Sequence, residues 1–193
     1  MAQERKENRN ALRSKRLIKE AFLELIQEKP VSKITVTEII RLADINRSTF
    51  YAHYPDVYGV LEAFEDDTVD KLMSILTDFD YKNFFSNPLP LLLRINRYID
   101  ENLELYQTLI KQNGADSVFR KLHNTFIEYM RNSSDIPEEF KSSAMFEIRI
   151  HFFAGGILSL YKNWLMGDIQ SELNDISLDV AKILKESSKE LMG

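Results

Sequence analysis

The most informative part of the chain runs from residue 34 to residue 56, ITVTEIIRLADINRSTFYAHYPD. Thr35 followed three residues later by Glu38 has the form of a capping box, in which each side chain binds the backbone N–H of the other residue. Asn46 is a second residue that favours the N-cap position of a helix. The stretch therefore predicts two short helices joined by a tight turn. Behind a longer helix, such a pair forms a helix–turn–helix.

The longer helix is predicted just before this stretch. Its apolar residues recur at the spacing of one helix face. They are Ile18, Ala21, Phe22, Leu25 and Ile26. The helix is expected to begin near Arg9 and to stop before Pro30, because proline disfavours the helical conformation of the residue before it. The two short helices then occupy residues 35–43 and 47–53, and the three helices form a small head.

The remainder of the chain also predicts helices, and no segment has the alternating pattern of a strand. The predicted helical stretches are 57–76, 90–112, 116–131, 138–166 and 177–191, the last capped by Ser177. We therefore predict an all-α fold of about nine helices. Residues 1–56 form the helix–turn–helix domain with a basic N-terminal arm, and residues 57–193 form a larger C-terminal helical bundle.

The composition excludes several classes of protein. Cysteine is absent from the 193 residues, which excludes disulfide frameworks, thiolate zinc sites and cysteine nucleophiles. No apolar run approaches the roughly 18 residues of a membrane-spanning helix. The charged N-terminus has no apolar segment of the kind that directs secretion. A cytoplasmic chain without membrane contact is the expectation.

Charge is unevenly distributed along the chain. Residues 1–56 contain eleven basic and eight acidic side chains, a net charge of +3. Residues 57–193 contain fourteen basic and twenty-two acidic side chains, a net charge of −8. A basic head on an acidic body is typical of contact with an anionic polymer. Charge alone, however, favours the simpler explanation of a solvated N-terminus.

The helix–turn–helix arrangement suits double-stranded DNA. Helix 47–53 is too short to be stable alone, so Ile45, Phe50 and Tyr54 are expected to anchor it to the other two helices. Arg47 is predicted to read a base, because a guanidinium can pair with O6 and N7 of guanine. Other side chains are expected to touch base edges or to bind phosphates. The full set of candidate DNA-binding residues is Thr35, Thr37, Asn46, Arg47, Ser48, Thr49, Tyr51, His53 and Tyr54.

The same residues resemble the DNA-binding domain of the TetR family of bacterial regulators. The resemblance covers about 45 residues, 12–58, and is most specific in the run 49–54, Thr-Phe-Tyr-Ala-His-Tyr. It implies a homodimer formed through the last two helices, about 142–166 and 177–191, and a C-terminal domain that binds a ligand. The implied function is that of a transcriptional repressor, which binds an inverted-repeat operator and is released when the ligand binds.

Some positions depart from the family pattern. Asp44 replaces the turn glycine, and aspartate tolerates left-handed backbone conformations better than most residues. Ile40 replaces a small residue, and Val57 replaces a lysine that commonly contacts phosphate. The last change predicts the loss of one phosphate contact. Residues 51–61 and 155–164 look like the branch of the family that includes the dihydroxyacetone-kinase regulators.

Aromatic residues are frequent in the C-terminal two-thirds of the chain. A pocket between bundle helices is where a small apolar or aromatic ligand would bind. Aromatic side chains also dominate ordinary cores and interfaces, and the sequence leaves both interpretations open. The candidate ligand residues are Tyr98, Tyr106, Phe119, Phe126, Phe152 and Trp164.

No catalytic, metal or cofactor site is predicted. The chain has no nucleophile elbow, phosphate-binding loop or dinucleotide-binding motif. Glu147 and His151, one helical turn apart, are interpreted as a structural pair rather than as metal ligands. Gly155 and Gly156 inside an apolar helix indicate the close approach of another helix, most simply at a dimer interface.

Two alternatives to an operator-binding regulator stay open. In the first, the chain is an adaptor or coactivator whose head or C-terminal domain contacts a protein. In the second, which ranks last, it is a helical-bundle enzyme. Binding to DNA at low salt separates the first alternative from a regulator.

Overall fold

The computed structural model describes residues 2–78, 87–113, 116–134 and 136–189, and in these ranges it contains helices but no strand. The all-α prediction is confirmed. A 3-10 turn, Val31–Lys33, follows the first helix. None of the described helices has the length and apolarity needed to cross a membrane. The α-helices are α1 (Ala2–Glu28), α2 (Val36–Leu42), α3 (Arg47–Tyr51), α4 (Val57–Thr77), α5 (Leu89–Asp100), α6 (Leu103–Asn113), α7 (Asp116–Asn132), α8 (Glu138–Lys141), α9 (Ala144–Met166) and α10 (Leu173–Lys189).

The chain divides into two compact units. The first, here called the head, comprises Met1–Asp67 and Thr108–Gly114. The second, the C-terminal unit, comprises Thr68–Gln107 and Ala115–Gly193. Residue 56, after which the sequence predicts a domain boundary, lies within the first segment of the head, and the second segment comes from much later in the chain.

Local side-chain contacts set the helix ends in the head. The Thr35 hydroxyl accepts a hydrogen bond from the Glu38 N–H, and the Glu38 carboxylate accepts one from the Thr35 N–H. This is the capping box that the sequence predicts, and it opens α2. Asn46 caps α3 as predicted. In the turn between the two helices, Asp44 has a φ of 49°, a left-handed conformation that glycine adopts readily and aspartate tolerates.

Tertiary packing holds the short α3 in place. The helices α1, α2 and α3 pack against one another in the head. Phe22 of α1, Ile39 of α2 and Phe50 of α3 are completely buried, and Tyr54 is 5% exposed. A five-residue helix is unstable by itself in water, so these contacts stabilise it. Phe50 and Tyr54 are therefore the buried anchors that the sequence predicts, whereas Ile45 is half-buried.

In the C-terminal unit, α9 packs on two sides. One side faces α7 in an apolar cluster of Ile127, Met130, Ile136, Phe146, Ile150 and Ala154. The other side presents Phe153, Ile157 and Leu160 to a cluster of α5 and α10 residues, which are Leu92, Val180, Ala181 and Leu184. The helix ends at Met166, and Gly167 follows with a left-handed φ of 86°, a conformation that glycine adopts readily at a helix C-terminus.

Several predicted helix boundaries are wrong. The first helix begins at Ala2, not near Arg9. The predicted helix 90–112 is interrupted at Glu101, which ends α5. The predicted helix 138–166 is interrupted because Ser143 caps a new helix, its hydroxyl accepting a hydrogen bond from the N–H of Met145.

Ser177 does not cap the last helix, which begins at Leu173. Ser177 and Asn96 are each 1% exposed, and their side chains form a buried hydrogen-bond network with Tyr161. Asn96 Nδ2 donates to Ser177 Oγ over 2.9 Å, and the Tyr161 hydroxyl donates to Asn96 Oδ1 over 2.7 Å. Burial raises the pKa of Tyr161 to about 12. Since buried polar groups require partners, this network fixes α10 against α5 and α9.

Candidate nucleic-acid interface

A group of exposed side chains on α2 and α3 forms what we call the α3 surface: Thr37, Arg47, Ser48 and Tyr51. The guanidinium of Arg47 donates to the Thr37 hydroxyl over 3.4 Å and lies 5.9 Å from the centroid of the Tyr51 ring. A cation over an aromatic ring is attracted to its face. Arg47 is thus held at the surface by one residue of α2 and one of α3.

Asn46 organises the first turn of α3. Its Oδ1 accepts hydrogen bonds from the Thr49 N–H over 2.7 Å, the Thr49 hydroxyl over 2.8 Å and the Ser48 hydroxyl over 2.7 Å. The hydroxyl protons of Ser48 and Thr49 are directed at this cap. Because a hydroxyl oxygen also accepts hydrogen bonds, both side chains keep the capacity to accept one from a base amino group.

The entrance to α2 is a charged cluster. The Thr35 hydroxyl donates to the Glu38 carboxylate over 2.9 Å, and the same carboxylate forms an ion pair with Lys29. Hydrogen bonds from Lys29 and Thr35 lower the pKa of Glu38 from 4.5 to about 2. The Thr35 hydroxyl proton is therefore engaged within the head, and phosphate binding by this hydroxyl requires it to leave Glu38.

Residues after α3 are more buried than the sequence suggests. The Tyr54 ring lies 6.2 Å from that of Phe50, and burial raises the pKa of its hydroxyl. Little of the Tyr54 side chain is therefore exposed for the phosphate contact that the sequence predicts. His53 is half-buried, and its Nε2 lies 2.7 Å from Ser14 Oγ. Val57 is 6% exposed, so the position at which the family pattern predicts a lysine is here part of the core.

Two residues of the head that sequence reasoning missed are Ser14 and Tyr58. Ser14 is 9% exposed and connects α1 to the segment after α3. Its partner lies 39 residues away in sequence, so no local pattern indicates the contact. Tyr58 places an aromatic hydroxyl in the first turn of α4 and is 57% exposed. Ser14 lies on the buried face of α1, one turn before Ile18, but a lone serine there does not indicate a functional contact.

The candidate ligand residues fall in separate places within the C-terminal unit. Tyr98 and Tyr106 lie together, with their hydroxyl oxygens 2.8 Å apart, and burial raises the pKa of Tyr106. Phe126 packs against the α7–α9 cluster, and Trp164 Nε1 donates to the carbonyl oxygen of Ser171 over 2.8 Å. Phe119 is half-buried on α7. Phe152 is 71% exposed, so its ring lies on the surface of the single chain and not in an interior pocket.

Glu147 on α9 pairs mainly with an arginine of α7, and not with His151 as the sequence predicts. Glu147 accepts two hydrogen bonds from Arg131 of α7, over 2.9 and 2.7 Å, and these lower the pKa of its carboxylate. His151 Nε2 lies farther from the same carboxylate, at 3.6 Å. The residues described by the structure include no group of three or more acidic or histidine side chains arranged to hold a metal ion.

The sequence comparisons agree with this architecture. Residues 86–186, just over half of the chain, match a TetR family model described as "Transcriptional regulator C-terminal region". The "HTH-type dhaKLM operon transcriptional activator DhaS" of Lactococcus lactis subsp. lactis (strain IL1403) is 33% identical over 97 residues, which are 50% of this chain and 48% of the relative. The "Uncharacterized HTH-type transcriptional regulator YxbF" of Bacillus subtilis (strain 168) is 30% identical over 84 residues, which are 43% of this chain and 22% of the relative. The matches thus span less than half the length of these curated relatives.

Solved structures share the fold over nearly the whole chain. The structure of "Dihydroxyacetone kinase operon activator DhaS" aligns with a TM-score of 0.62 at 20% identity and covers 91% of this chain and 96% of its own. A TetR transcriptional regulator from Streptococcus agalactiae 2603V aligns with a TM-score of 0.59 at 23% identity and covers 92% and 97%. At these identities the likeness shows the fold alone. Because the family model covers more than half of the chain, the chain belongs to the TetR family of transcriptional regulators.

Proposed function

We propose that this regulator binds an inverted-repeat operator in double-stranded DNA as a homodimer. One α3 enters the major groove at each half-site, which is how helix–turn–helix dimers read palindromic DNA. The observation that carries the proposal is the α3 surface. It combines an exposed guanidinium with hydroxyl groups on a helix whose N-cap and core contacts fix its position.

Within this interface, Arg47 is the proposed base reader. A guanidinium forms two parallel hydrogen bonds with guanine O6 and N7. Its neighbours Ser48 and Thr49 are proposed to touch base edges, since both lie in the same first turn of α3. Thr37 and Tyr51 are exposed and are proposed to bind phosphates. Phosphate contacts fix the register of the protein, and base contacts supply the specificity.

The proposed dimer uses α9 and α10. The apolar face of α9, by which we mean Met145, Ile148 and Phe152, is exposed by 46%, 61% and 71% respectively. On α10, Leu178 and Ile183 are also exposed, by 42% and 55%. Apolar side chains grouped on one face indicate a binding surface. A two-fold dimer covers such a face with its own copy, as self-complementary interfaces do.

For a small apolar or aromatic effector, we propose the pair Tyr98 and Tyr106. These are the predicted ligand residues that the structure brings into contact. Their hydroxyl groups, beside apolar surface, suit a ligand with an apolar body and one hydrogen-bonding group. Thermal melting of the wild type and of Tyr106→Phe against a panel of small aromatic compounds tests the assignment. Stabilisation that the variant retains would contradict it.

The direction of regulation is a separate question from DNA binding. The family resemblance predicts a repressor, whereas one relative carries the name of an activator. Bound regulators repress or activate according to where the operator lies relative to the promoter. A reporter gene placed behind the bound promoter, with and without the regulator, gives the sign.

A binding selection from fragmented genomic DNA of the source organism tests the proposed function. Fragments should be recovered at several salt concentrations, because non-specific binding falls steeply as salt rises. We expect one short inverted repeat that is retained at high salt. Binding without sequence preference that disappears as salt rises would overturn the proposal and favour the adaptor or coactivator alternative.

A further inference from the structure

The hydrogen bond between Ser14 and His53 joins α1 to the end of the proposed recognition helix. His53 lies two residues after α3, and its Nε2 is 2.7 Å from Ser14 Oγ. Ser14 is almost completely buried. The sequence predicts that His53 binds a DNA phosphate, but its Nε2 atom faces the interior of the head.

The neighbours of Ser14 favour His53 as the donor in this bond. Ser14 Oγ lies 3.0 Å from the carbonyl oxygen of Asn10 and 3.1 Å from that of Ala11, and it has a single proton to donate. Serine commonly donates in this way to the preceding turn of its own helix. When Ser14 does so, its oxygen accepts from His53, and the imidazole proton lies on Nε2.

A neutral imidazole carries only one N–H. With that proton on Nε2, the Nδ1 atom of His53 is an acceptor and cannot donate to a phosphate. Burial and the nearby charge of Lys15 lower the pKa of His53, and both favour the neutral ring. The geometry and the proton count therefore argue against a phosphate contact from this side chain.

We propose that His53 is a positioning residue, which fixes the C-terminal end of α3 to α1 through Ser14 and so orients Arg47 toward its base. The proposal rests on the proposed DNA binding for its functional consequence. Its structural part, the Nε2–H donor to Ser14, can be tested without DNA.

The DNA-free test is the 15N spectrum of the histidine side chains in the full chain at neutral pH, with the His53 signals assigned by their loss in His53→Gln. We expect the neutral Nε2–H tautomer in the wild type and a changed pair of ring-nitrogen shifts in Ser14→Ala. A ring protonated on both nitrogens, or one with its proton on Nδ1, would overturn the proposal. This result is obtained even if the chain binds no operator.

The DNA test compares two substitutions of His53 on the duplex recovered in the binding selection. The amide nitrogen of glutamine reaches the position of Nε2, whereas that of asparagine reaches only the position of Nδ1. We expect His53→Gln to keep operator affinity, and we expect Ser14→Ala and His53→Asn each to lose about tenfold, as for one hydrogen bond. The double variant Ser14→Ala/His53→Asn should lose no more than either single variant, because both remove the same contact.

The comparison of Ser14→Ala with the His53 variants separates positioning from phosphate contact. We expect the slope of log affinity against log salt to be unchanged in all of these variants. If Ser14→Ala binds like the wild type while both His53 variants lose affinity, then His53 is a phosphate ligand and the proposal is wrong. A slope that falls by about 0.9 for each subunit in the His53 variants would also overturn it, because it identifies a protonated imidazole on a phosphate. The far-UV circular dichroism spectrum and the melting temperature of each variant show whether that variant is folded.

Discussion

The α3 surface in the head and the apolar face of α9 in the C-terminal unit are both exposed, yet they differ in chemistry. Arg47 in the head has a hydroxyl and an aromatic ring as neighbours, so its guanidinium lies among groups that can direct it. Phe152 on α9 is 71% exposed and has only apolar atoms to offer a partner. The first surface suits a partner with directed hydrogen-bonding groups, and the second suits a partner whose own apolar surface leaves water.

Substitutions on the two surfaces should therefore change different properties of the protein. Loss of a polar contact on α3 should change which DNA sequence is preferred. Loss of an apolar contact on α9 should change the assembly of the chain and should reach DNA only through the loss of the dimer.

Phe152→Glu should give the largest effect. A two-fold dimer buries the Phe152 ring of each chain. Loss of each buried ring removes about 2 kcal/mol of association free energy, so the two together should weaken the dimer about 1000-fold. Sedimentation equilibrium measures this change. The control is Leu93→Glu, which changes another exposed apolar residue of the C-terminal unit, on α5. A Phe152→Glu variant that remains as dimeric as this control would remove the proposed interface.

Gly156→Leu tests the same face of α9 by adding an apolar side chain instead of removing one. A Cβ built on Gly156 meets no atom within 4 Å, so a single chain has room for a side chain there. Leucine also favours a helix more than glycine does. We expect a more stable single chain but a dimer weakened by about 100-fold, because the added side chain prevents close approach of the partner. Sedimentation and thermal melting together measure both effects, and an intact dimer would place the partner elsewhere.

Arg47→Ala should affect recognition without affecting assembly. Loss of a bidentate contact to guanine costs about 1–3 kcal/mol, or about 5- to 150-fold for each half-site, and relaxes the preference at one base pair. Binding to unrelated duplex should fall much less. Fluorescence anisotropy with the selected duplex and with a scrambled duplex measures both. Arg94→Ala, which removes an exposed cation of the C-terminal unit, is the control for net charge. An equal loss on the two duplexes would show that Arg47 contacts only phosphate.

Asn46→Ala should have a smaller effect on the same surface. The variant removes the N-cap of α3, which costs about 1 kcal/mol of helix stability and lowers operator affinity about fivefold. Ser143→Ala is its counterpart, because it removes the N-cap of α9. We expect that variant to melt at a lower temperature and to bind the operator nearly as well as the wild type. Amide hydrogen exchange in α3 and in α9 shows which helix has frayed, and equal effects on the operator would remove the distinction between the surfaces.

Glu38→Gln should have the smallest effect, visible only as a change with pH. The pKa of Glu38 is lowered from 4.5 to about 2. The ionised carboxylate therefore stabilises the folded chain fully at pH values above 4.5, and this contribution is lost as the pH falls toward 2. The melting temperature of the wild type should therefore exceed that of the variant at pH 6, and the difference should shrink as the pH falls to 2. Glu24→Gln on α1 is the control. A difference that stays constant over this range would contradict the assigned pairing.

Local chemistry explains why much of the head could be predicted from the sequence. The capping box of Thr35 and Glu38, the Asn46 cap and the left-handed Asp44 each depend on residues within a few positions. Contacts between distant residues were not predictable in this way. Ser14 and His53 are 39 residues apart, and Asn96 and Ser177 are 81 residues apart, so neither pair has a local signature.

The same reason explains the errors in the C-terminal unit. Ser177 has the chemistry of an N-cap, but its tertiary partners place it inside α10 as a buried network residue. Phe152 resembles a core or pocket residue in sequence, but it lies on the third side of a helix whose other two sides are covered. Which side of a two-sided apolar helix remains exposed depends on its neighbours and cannot be read from its own residues.

The most direct test of the account is the mass of the complex on two duplexes, measured by sedimentation velocity. One duplex carries the inverted repeat recovered in the binding selection, and the other carries a single half-site. We predict two chains bound to the complete repeat with wild-type protein, and a loss of this stable complex in Phe152→Glu, whereas Arg47→Ala should remain dimeric but lose its preference for the repeat. A single chain bound tightly to each half-site, unaffected by Phe152→Glu, would contradict the assignment of DNA to one surface and of a second copy to the other.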